Sequence, residues 1–264
     1  ERIVKMPKKE TEEWSNVEKT KVSNWDIPNS IQPIVVELNI HKHQGNFNAD
    51  YAKILIYGES GTGKTRLAST FPKVIFADID KGMSSVTEIV DRVEVDEFKQ
   101  LEALHQFLRD GEHEYQTVVI DTLNEMQRIA MHATVQDFPS IRRSYENLPS
   151  MSDYGKMLHD MVELTRNFIA LPMRVILLGQ VGTRQFDTDV MQPQLIGKNT
   201  SREICRKMDI IGYIYKSTQE EVANNKKVSE IAFDVAQYVV KDRSYKLPAI
   251  LLDPDFNKIN SYLV

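Results

Sequence analysis

An α/β fold with a mainly parallel sheet and helices on both faces is predicted by three features of this 264-residue sequence. Short runs such as KILIY (Lys53–Tyr57) and TVVID (Thr117–Asp121) are mostly apolar, as in strands that are covered on both faces. Segments with helical spacing of apolar residues alternate with these runs. A glycine-rich turn directly follows the first run, at the end where parallel sheets bind their ligands.

The remaining elements continue this alternation. Further strands are predicted at Lys73–Ile79, at Arg174–Gln180, near Ile210–Tyr215 and at Glu230–Val240. Helices are predicted at Thr65–Phe71, from Phe98 to a stop at Gly111, from the end of TVVID to about Gln136, and from a Ser152 cap to a stop at Pro172. The segment Val181–Thr200 is predicted to be a polar loop.

Composition favours one domain with a tail. Residues 1–50 mix charge with Asn, Ser and Pro, which predicts an extended N-terminal arm before a domain at residues 51–264. The net charge of −5 argues against a surface coated for nucleic acid, so such contacts must come from local basic loops. Cys205 is the only cysteine, which excludes an intramolecular disulfide. Because no apolar stretch approaches the ~20 residues of a membrane span, we expect a cytoplasmic protein without a membrane partner.

The octapeptide GESGTGKT at Gly58–Thr65 matches the phosphate-binding loop pattern G-x-x-x-x-G-K-[ST]. Its glycines let the backbone turn N–H groups inward around phosphates at a helix N-terminus. Lys64 adds a positive charge, as an exposed ligand outside the core, and the Thr65 hydroxyl can hold Mg²⁺. The expected cofactors are therefore ATP and Mg²⁺. The predicted nucleotide-binding residues are Gly58, Glu59, Ser60, Gly61, Thr62, Gly63, Lys64, Thr65 and Arg66.

Carboxylates that could serve the metal and the attacking water follow two of the predicted strands. Asp121 ends VVID, where a nucleotide-hydrolysing domain presents a carboxylate to the Mg²⁺ shell. The next residue is Thr122, where a Glu would be the usual base. Two alternatives for the base stay open: Asp80, after the second strand and on one face with Asp78, and Glu125, one turn into the next helix.

Gln180 ends the apolar run RVILLG and is a candidate to hydrogen-bond the γ-phosphate and to move the loop that follows. Lys64, Asp80, Asp121 and Gln180 come in the order and strand positions of a RecA-like ATPase core, which the chain resembles over about Lys53 to Pro248. The resemblance implies a three-layer P-loop NTPase fold. It also implies that an acidic residue after the second strand activates water, and that the Gln couples nucleotide state to a DNA-binding loop.

Four segments resemble phage-encoded nucleotide-binding proteins of the RecA-like single-strand-annealing type. They are GESGTGKT, ADIDKG, DYGK at Asp153–Lys156, and YVVKDRSYKLP. Gly179–Gln180 departs from the His-containing version in many of those proteins and is closer to RecA itself. The resemblance implies single-stranded DNA as a partner, a homo-oligomer (ring or filament), a single-strand-binding protein as a further partner, and the host cytoplasm as location.

Lys241 and Arg243, in KDR, resemble the Lys-x-Arg element that RecA-like rings and filaments insert into the neighbouring subunit's nucleotide. Cations there would stabilise charge that develops on the γ-phosphate. The ordinary alternative is a pair of exposed cations after a strand.

Two loops carry the cations and aromatic rings that single-stranded DNA requires for its phosphates and bases. Asp187 and Asp189 reduce the positive charge of the second loop, and a charged loop is more often simply exposed to solvent. The candidate DNA-binding residues are Arg142, Arg143 and Tyr145 in the first loop, and Arg184, Phe186, Lys198 and Arg202 in and after the second.

These observations predict a Mg²⁺-dependent, DNA-dependent ATPase that binds single-stranded DNA and promotes annealing or strand pairing in phage recombination. Two other classes stay open. A nucleotide-gated assembly or adaptor protein with little hydrolysis is consistent with Thr122 after Asp121. A small-molecule kinase needs an arginine-rich lid, for which only the loop with Arg142 and Arg143 is available.

Overall fold

The computed structural model describes residues 46–137, 148–182, 190–197, 199–221 and 226–264. Residues Phe47–Val264 form one compact unit. The predicted N-terminal arm lies almost entirely outside the described residues, so its extended conformation stays a prediction.

A mixed sheet, mainly parallel, forms the centre of this unit. Its strands follow one another in the order β3-β2-β4-β5-β1-β6-β7-β9, and β8 pairs with β6 outside this path. Every pair from β3 across to β6 is parallel, whereas β6–β7, β6–β8 and β7–β9 are antiparallel. The strands are β1 Lys53–Tyr57, β2 Val74–Asp78, β3 Asp91–Glu94, β4 Thr117–Asp121, β5 Arg174–Gly179, β6 Ile210–Glu221, β7 Lys226–Ala232, β8 Lys241–Asp242 and β9 Ile250–Leu252.

Helices cover both faces of the sheet, which confirms the predicted three-layer α/β fold of P-loop NTPases. One apolar cluster joins the sheet to α2, α3, α4 and α5, and a second joins its other face to α1 and α6. The helices are α1 Lys64–Ser69, α2 Phe98–Asp110, α3 Leu123–Asp137, α4 Met151–Ala170, α5 Thr200–Lys207 and α6 Phe256–Leu263. None of the helices within the described ranges has both the length and the apolar character needed to span a membrane.

Some local predictions differ from the structure, and some elements were not predicted. The cap of α4 is Ser150, not Ser152: its side chain and that of Asp153 form a capping box. The strand predicted at Glu230–Val240 ends at Ala232, because the chain turns there and leaves the sheet. Helix α5 was not predicted, since only its residues Ile204 and Cys205 are apolar and buried, which is too few to show a helical period.

Candidate nucleotide-binding site

The carboxyl ends of β4, β5 and β1 are neighbours in the sheet and bring the predicted site residues to one edge. The phosphate loop, residues 58–65, follows β1. Asp121 ends β4, and Gln180 follows β5, which lies between these two strands. The Gly58 N–H donates to the Gly179 carbonyl at 3.2 Å, so the start of the loop is fixed to the end of β5.

Two glycines of the phosphate loop are required by its backbone. A Cβ atom at Gly58 would lie 2.1 Å from the backbone oxygen of Ile214 on β6, so no other residue fits there. Gly63 caps α1 with a φ of 101°, which is in the left-handed region that side chains disfavour. The Ser229 hydroxyl on β7 donates to the Thr62 carbonyl at 2.6 Å and holds the loop from the side. These contacts restrict the conformation of the loop.

Lys64 is buried, so the expectation of an exposed side chain is wrong. Its residue is 7% exposed, and its Nζ donates to the carbonyls of Gly58 and Glu59 at 2.9 Å each. Burial lowers the pKa of Lys64, while the carboxylates of Asp121, Asp80 and Glu59 oppose this shift. The ammonium group therefore lies within the curve of the loop, where it adds charge to the inward-facing backbone N–H groups that bind phosphates.

Thr65 and Asp121 are joined directly. The Thr65 Oγ1 donates to the Asp121 Oδ2 at 2.7 Å, and Asp121 is 2% exposed. Burial raises the pKa of Asp121 to about 6, although the hydrogen bond from Thr65 lowers it. A hydroxyl and a carboxylate at this distance are hard oxygen ligands of the kind that Mg²⁺ prefers, and a bound cation would favour the ionised carboxylate. These two residues fit the predicted Mg²⁺ site.

A second pair of carboxylates lies at the carboxyl end of β2. Asp78 lies opposite Asp121 in the sheet and is fully buried, and its Oδ2 accepts from Arg92 Nη1 at 2.8 Å. Its Oδ1 has no hydrogen-bond partner among the described residues. Asp80 is exposed, while its backbone N–H donates to the Asp121 carbonyl at 3.0 Å. Asp78 therefore serves the structure through Arg92, and the Asp80 carboxylate is available to a water molecule.

The other candidate base, Glu125, is engaged elsewhere. Its Oε2 accepts from Arg128 Nε at 2.5 Å within α3. No ion pair of Asp80 occurs in the described part of the chain, and its charge acts on both Lys64 and Asp121. The geometry favours Asp80 over Glu125 as general base, although the assignment stays a prediction.

We expect Asp80→Asn to keep ATP binding and to slow hydrolysis by about a hundredfold or more, as when a general base is lost. Single-turnover hydrolysis measured beside nucleotide affinity separates the two effects. Glu125→Gln is the matched control and should hydrolyse ATP near the wild-type rate. The opposite pattern, with Asp80→Asn normal and Glu125→Gln slow, would move the base to Glu125.

Within one chain, Lys241 and Arg243 lie at the opposite end of the strands from the phosphate loop. Strand β8 contains Lys241 and directly precedes Arg243. It pairs with the first residues of β6, whereas the phosphate loop follows the last residue of β1, which is parallel to β6. The Lys241 Nζ donates to the carbonyls of Met208 and Arg206, at 2.6 and 3.1 Å, at the C-terminal end of α5. Arg243 pairs with Asp209 at 3.0 Å. Their proposed role in a neighbouring site stays a prediction.

The remaining predicted residues divide between described and undescribed parts of the chain. Arg66 is exposed on α1 and pairs with Asp253 at 3.1 Å. Arg202 is exposed on α5. The other DNA-binding candidates lie outside the described residues: Arg142, Arg143, Tyr145, Arg184, Phe186 and Lys198.

Sequence reasoning missed three polar residues that support the site: Ser229, Asn124 and Gln127. Ser229 reaches the loop only because β7 folds back antiparallel beside β6. Asn124 and Gln127, on α3, bind the backbone of the segment after β5. A polar residue on a strand or an early helical turn carries no signal that distinguishes such contacts from ordinary solvation.

The fold and this site define the class of protein. A phosphate loop after β1, an Asp at the end of β4 and a sheet covered on both faces form the core of a P-loop NTPase. A family model described as an AAA domain matches residues 50–244, and the chain belongs to this family. It is therefore a nucleotide-binding ATPase domain. A comparison with curated proteins finds no match.

Proposed function

We propose that the protein is an oligomeric, Mg²⁺-dependent ATPase that binds single-stranded DNA and promotes annealing or strand pairing in phage recombination. The observation that carries the proposal is the position of Gln180. It follows β5 between the strand that ends in Asp121 and the strand that leads into the phosphate loop. A side chain there can respond to the γ-phosphate while its backbone continues directly into the candidate DNA-binding segment.

Local charge supports a polyanionic partner in spite of the net charge of −5. Arg202 and Arg206 are both exposed on α5, the helix that follows the second candidate loop. Cations that are concentrated on one element attract phosphates even when the whole protein is acidic. The resemblance to single-strand-annealing proteins favours single-stranded DNA as this polyanion.

We expect the affinity for single-stranded DNA to fall steeply as salt rises, because binding releases counterions from each neutralised phosphate. The measurement is a titration of fluorescent oligo-dT at several salt concentrations. Removing Arg142 and Arg143 together, or Arg184, or Arg202, should weaken binding and reduce the salt dependence.

Arg109→Ala is the matched control, because Arg109 is an exposed arginine on α2 whose ion-pair partner among the described residues is its neighbour Asp110. Unchanged affinity in all the loop variants would contradict the DNA interface. Tight nucleotide binding with neither DNA affinity nor turnover would instead favour the nucleotide-gated adaptor, which the Thr122 after Asp121 keeps open.

A further inference from the structure

The segment after β5 folds into a short two-stranded stem, formed by residues 180–182 and 190–196. The Gln194 N–H donates to the Gln180 carbonyl, and the Gly182 N–H donates to the Gln192 carbonyl, both at 2.8 Å. These bonds make the stem a continuation of the strand that ends beside the phosphate loop.

Two side-chain amides of α3 hold this stem by its backbone. Asn124 Oδ1 accepts from the Gln180 N–H at 2.9 Å, and its Nδ2 donates to the Gln194 carbonyl at 2.6 Å. Gln127 Oε1 accepts from the Ile196 N–H at 2.7 Å, and its Nε2 donates to the Ile196 carbonyl at 3.0 Å. Gln127 therefore makes the same pair of hydrogen bonds to the Ile196 backbone that a residue of a neighbouring strand would make.

The same helix begins directly at the predicted Mg²⁺ site. Helix α3 starts at Leu123, two residues after Asp121, and the Met126 N–H donates to the Thr122 carbonyl at 2.9 Å. A helical turn moves as a unit because its backbone bonds fix it. A displacement of Asp121 or Thr122 would therefore also move the side chain of Asn124 and, through its hydrogen bonds, the stem.

We propose that Asn124 and Gln127 are positioning residues that couple the nucleotide site to the stem, with Asn124 acting on hydrolysis through Gln180. The coupling to nucleotide rests on the ATPase assignment, whereas it does not require that the partner be DNA. Asn124 holds Gln180 by the backbone N–H of Gln180, so this hydrogen bond does not occupy the Gln180 side chain, which can reach for the γ-phosphate.

The stem keeps other attachments when these amides are removed. The Tyr57 hydroxyl donates to the Met191 carbonyl at 2.9 Å, and the buried Ser201 hydroxyl on α5 donates to the Pro193 carbonyl at 2.7 Å. Ser201→Ala is therefore a matched control: it removes a buried bond to the same stem from a helix that does not start at the Mg²⁺ site.

The test is hydrogen–deuterium exchange of the whole chain with and without Mg²⁺ and a non-hydrolysable ATP analogue. In the wild type, the analogue should slow exchange in the phosphate loop and in the stem. In Asn124→Ala/Gln127→Ala the phosphate loop should still be protected, while the stem should no longer respond; Ser201→Ala should respond as the wild type does. A stem that does not respond in the wild type, or that still responds in the double variant, overturns the proposal. An unprotected phosphate loop in the wild type would instead contradict the ATPase assignment.

Kinetics test the role of Gln180. Asn124→Ala should lower kcat by about tenfold or more, as expected for a misplaced catalytic contact, with KM for ATP nearly unchanged. It should have no further effect on kcat in a Gln180→Ala background, because residues that act through one another are not additive. Multiplicative effects, or an equal loss of kcat in Ser201→Ala, would show that Asn124 does not act through Gln180.

Discussion

Lys64→Ala is expected to reduce ATP turnover to background, the largest single effect in the chain. The Lys64 ammonium is the cation held within the curve of the phosphate loop, between the carbonyls of Gly58 and Glu59. Without it the β- and γ-phosphates lose their positive contact in a site that otherwise offers backbone N–H groups and the metal. The measurement is steady-state ATP turnover beside equilibrium binding of a fluorescent ATP analogue.

The fold should survive this substitution. Lys64→Ala removes two hydrogen bonds to loop carbonyls, yet it also removes a charge whose pKa is lowered by burial, and these effects oppose one another. We expect the thermal midpoint to change by no more than about 5 °C. Lys64→Met is the matched control, since it keeps most of the buried aliphatic part of the side chain and should be equally inactive. Wild-type turnover in either variant would contradict the nucleotide assignment.

Strands that are fully buried could be predicted from the sequence, whereas an exposed strand could not. Strands β1, β2, β4 and β5 are buried along their whole length, so their sequences are apolar runs that stand out. Strand β3, with the sequence DRVE, is an edge strand whose side chains are mostly exposed, and it carries no such run. An edge strand such as β3 forms because it pairs with a neighbouring strand, so its own sequence carries no local pattern that predicts it.

The site residues likewise divide into those that a local motif predicts and those that depend on the folded structure. The phosphate loop was predictable because its chemistry requires glycines, a Lys and a Thr at fixed spacing. The burial of Lys64 was not, because it depends on how the loop curves over the ammonium. The contacts of Asn124 were equally unpredictable, since its partners are backbone atoms of residues that lie 56 and 70 positions later in the chain. Motifs report bonds to ligands, whereas bonds between distant segments appear only in the folded structure.

Arg243→Ala is expected to lower ATP turnover by on the order of a thousandfold if, as we propose, KDR acts on the nucleotide of a neighbouring subunit. Within one chain Arg243 lies at the opposite edge of the sheet from the phosphate loop, so it does not serve the nucleotide of its own subunit. In a head-to-tail assembly, however, the opposite edges of successive subunits face each other. Arg109→Ala is the matched control: Arg109 is an exposed arginine on α2 that pairs with Asp110, and its loss should change turnover little.

Mixed assemblies separate an action in trans from a structural role in cis. Arg243 pairs with Asp209 in its own chain, so a structural role would lower stability in every subunit that carries the variant. Arg243→Ala subunits keep an intact phosphate loop, and Lys64→Ala subunits keep an intact KDR. Mixing the two inactive variants should therefore restore turnover at the interfaces where an intact loop meets an intact KDR, and turnover per wild-type subunit should fall on dilution. If mixing restores nothing and dilution changes nothing, Lys241 and Arg243 stabilise only the end of α5.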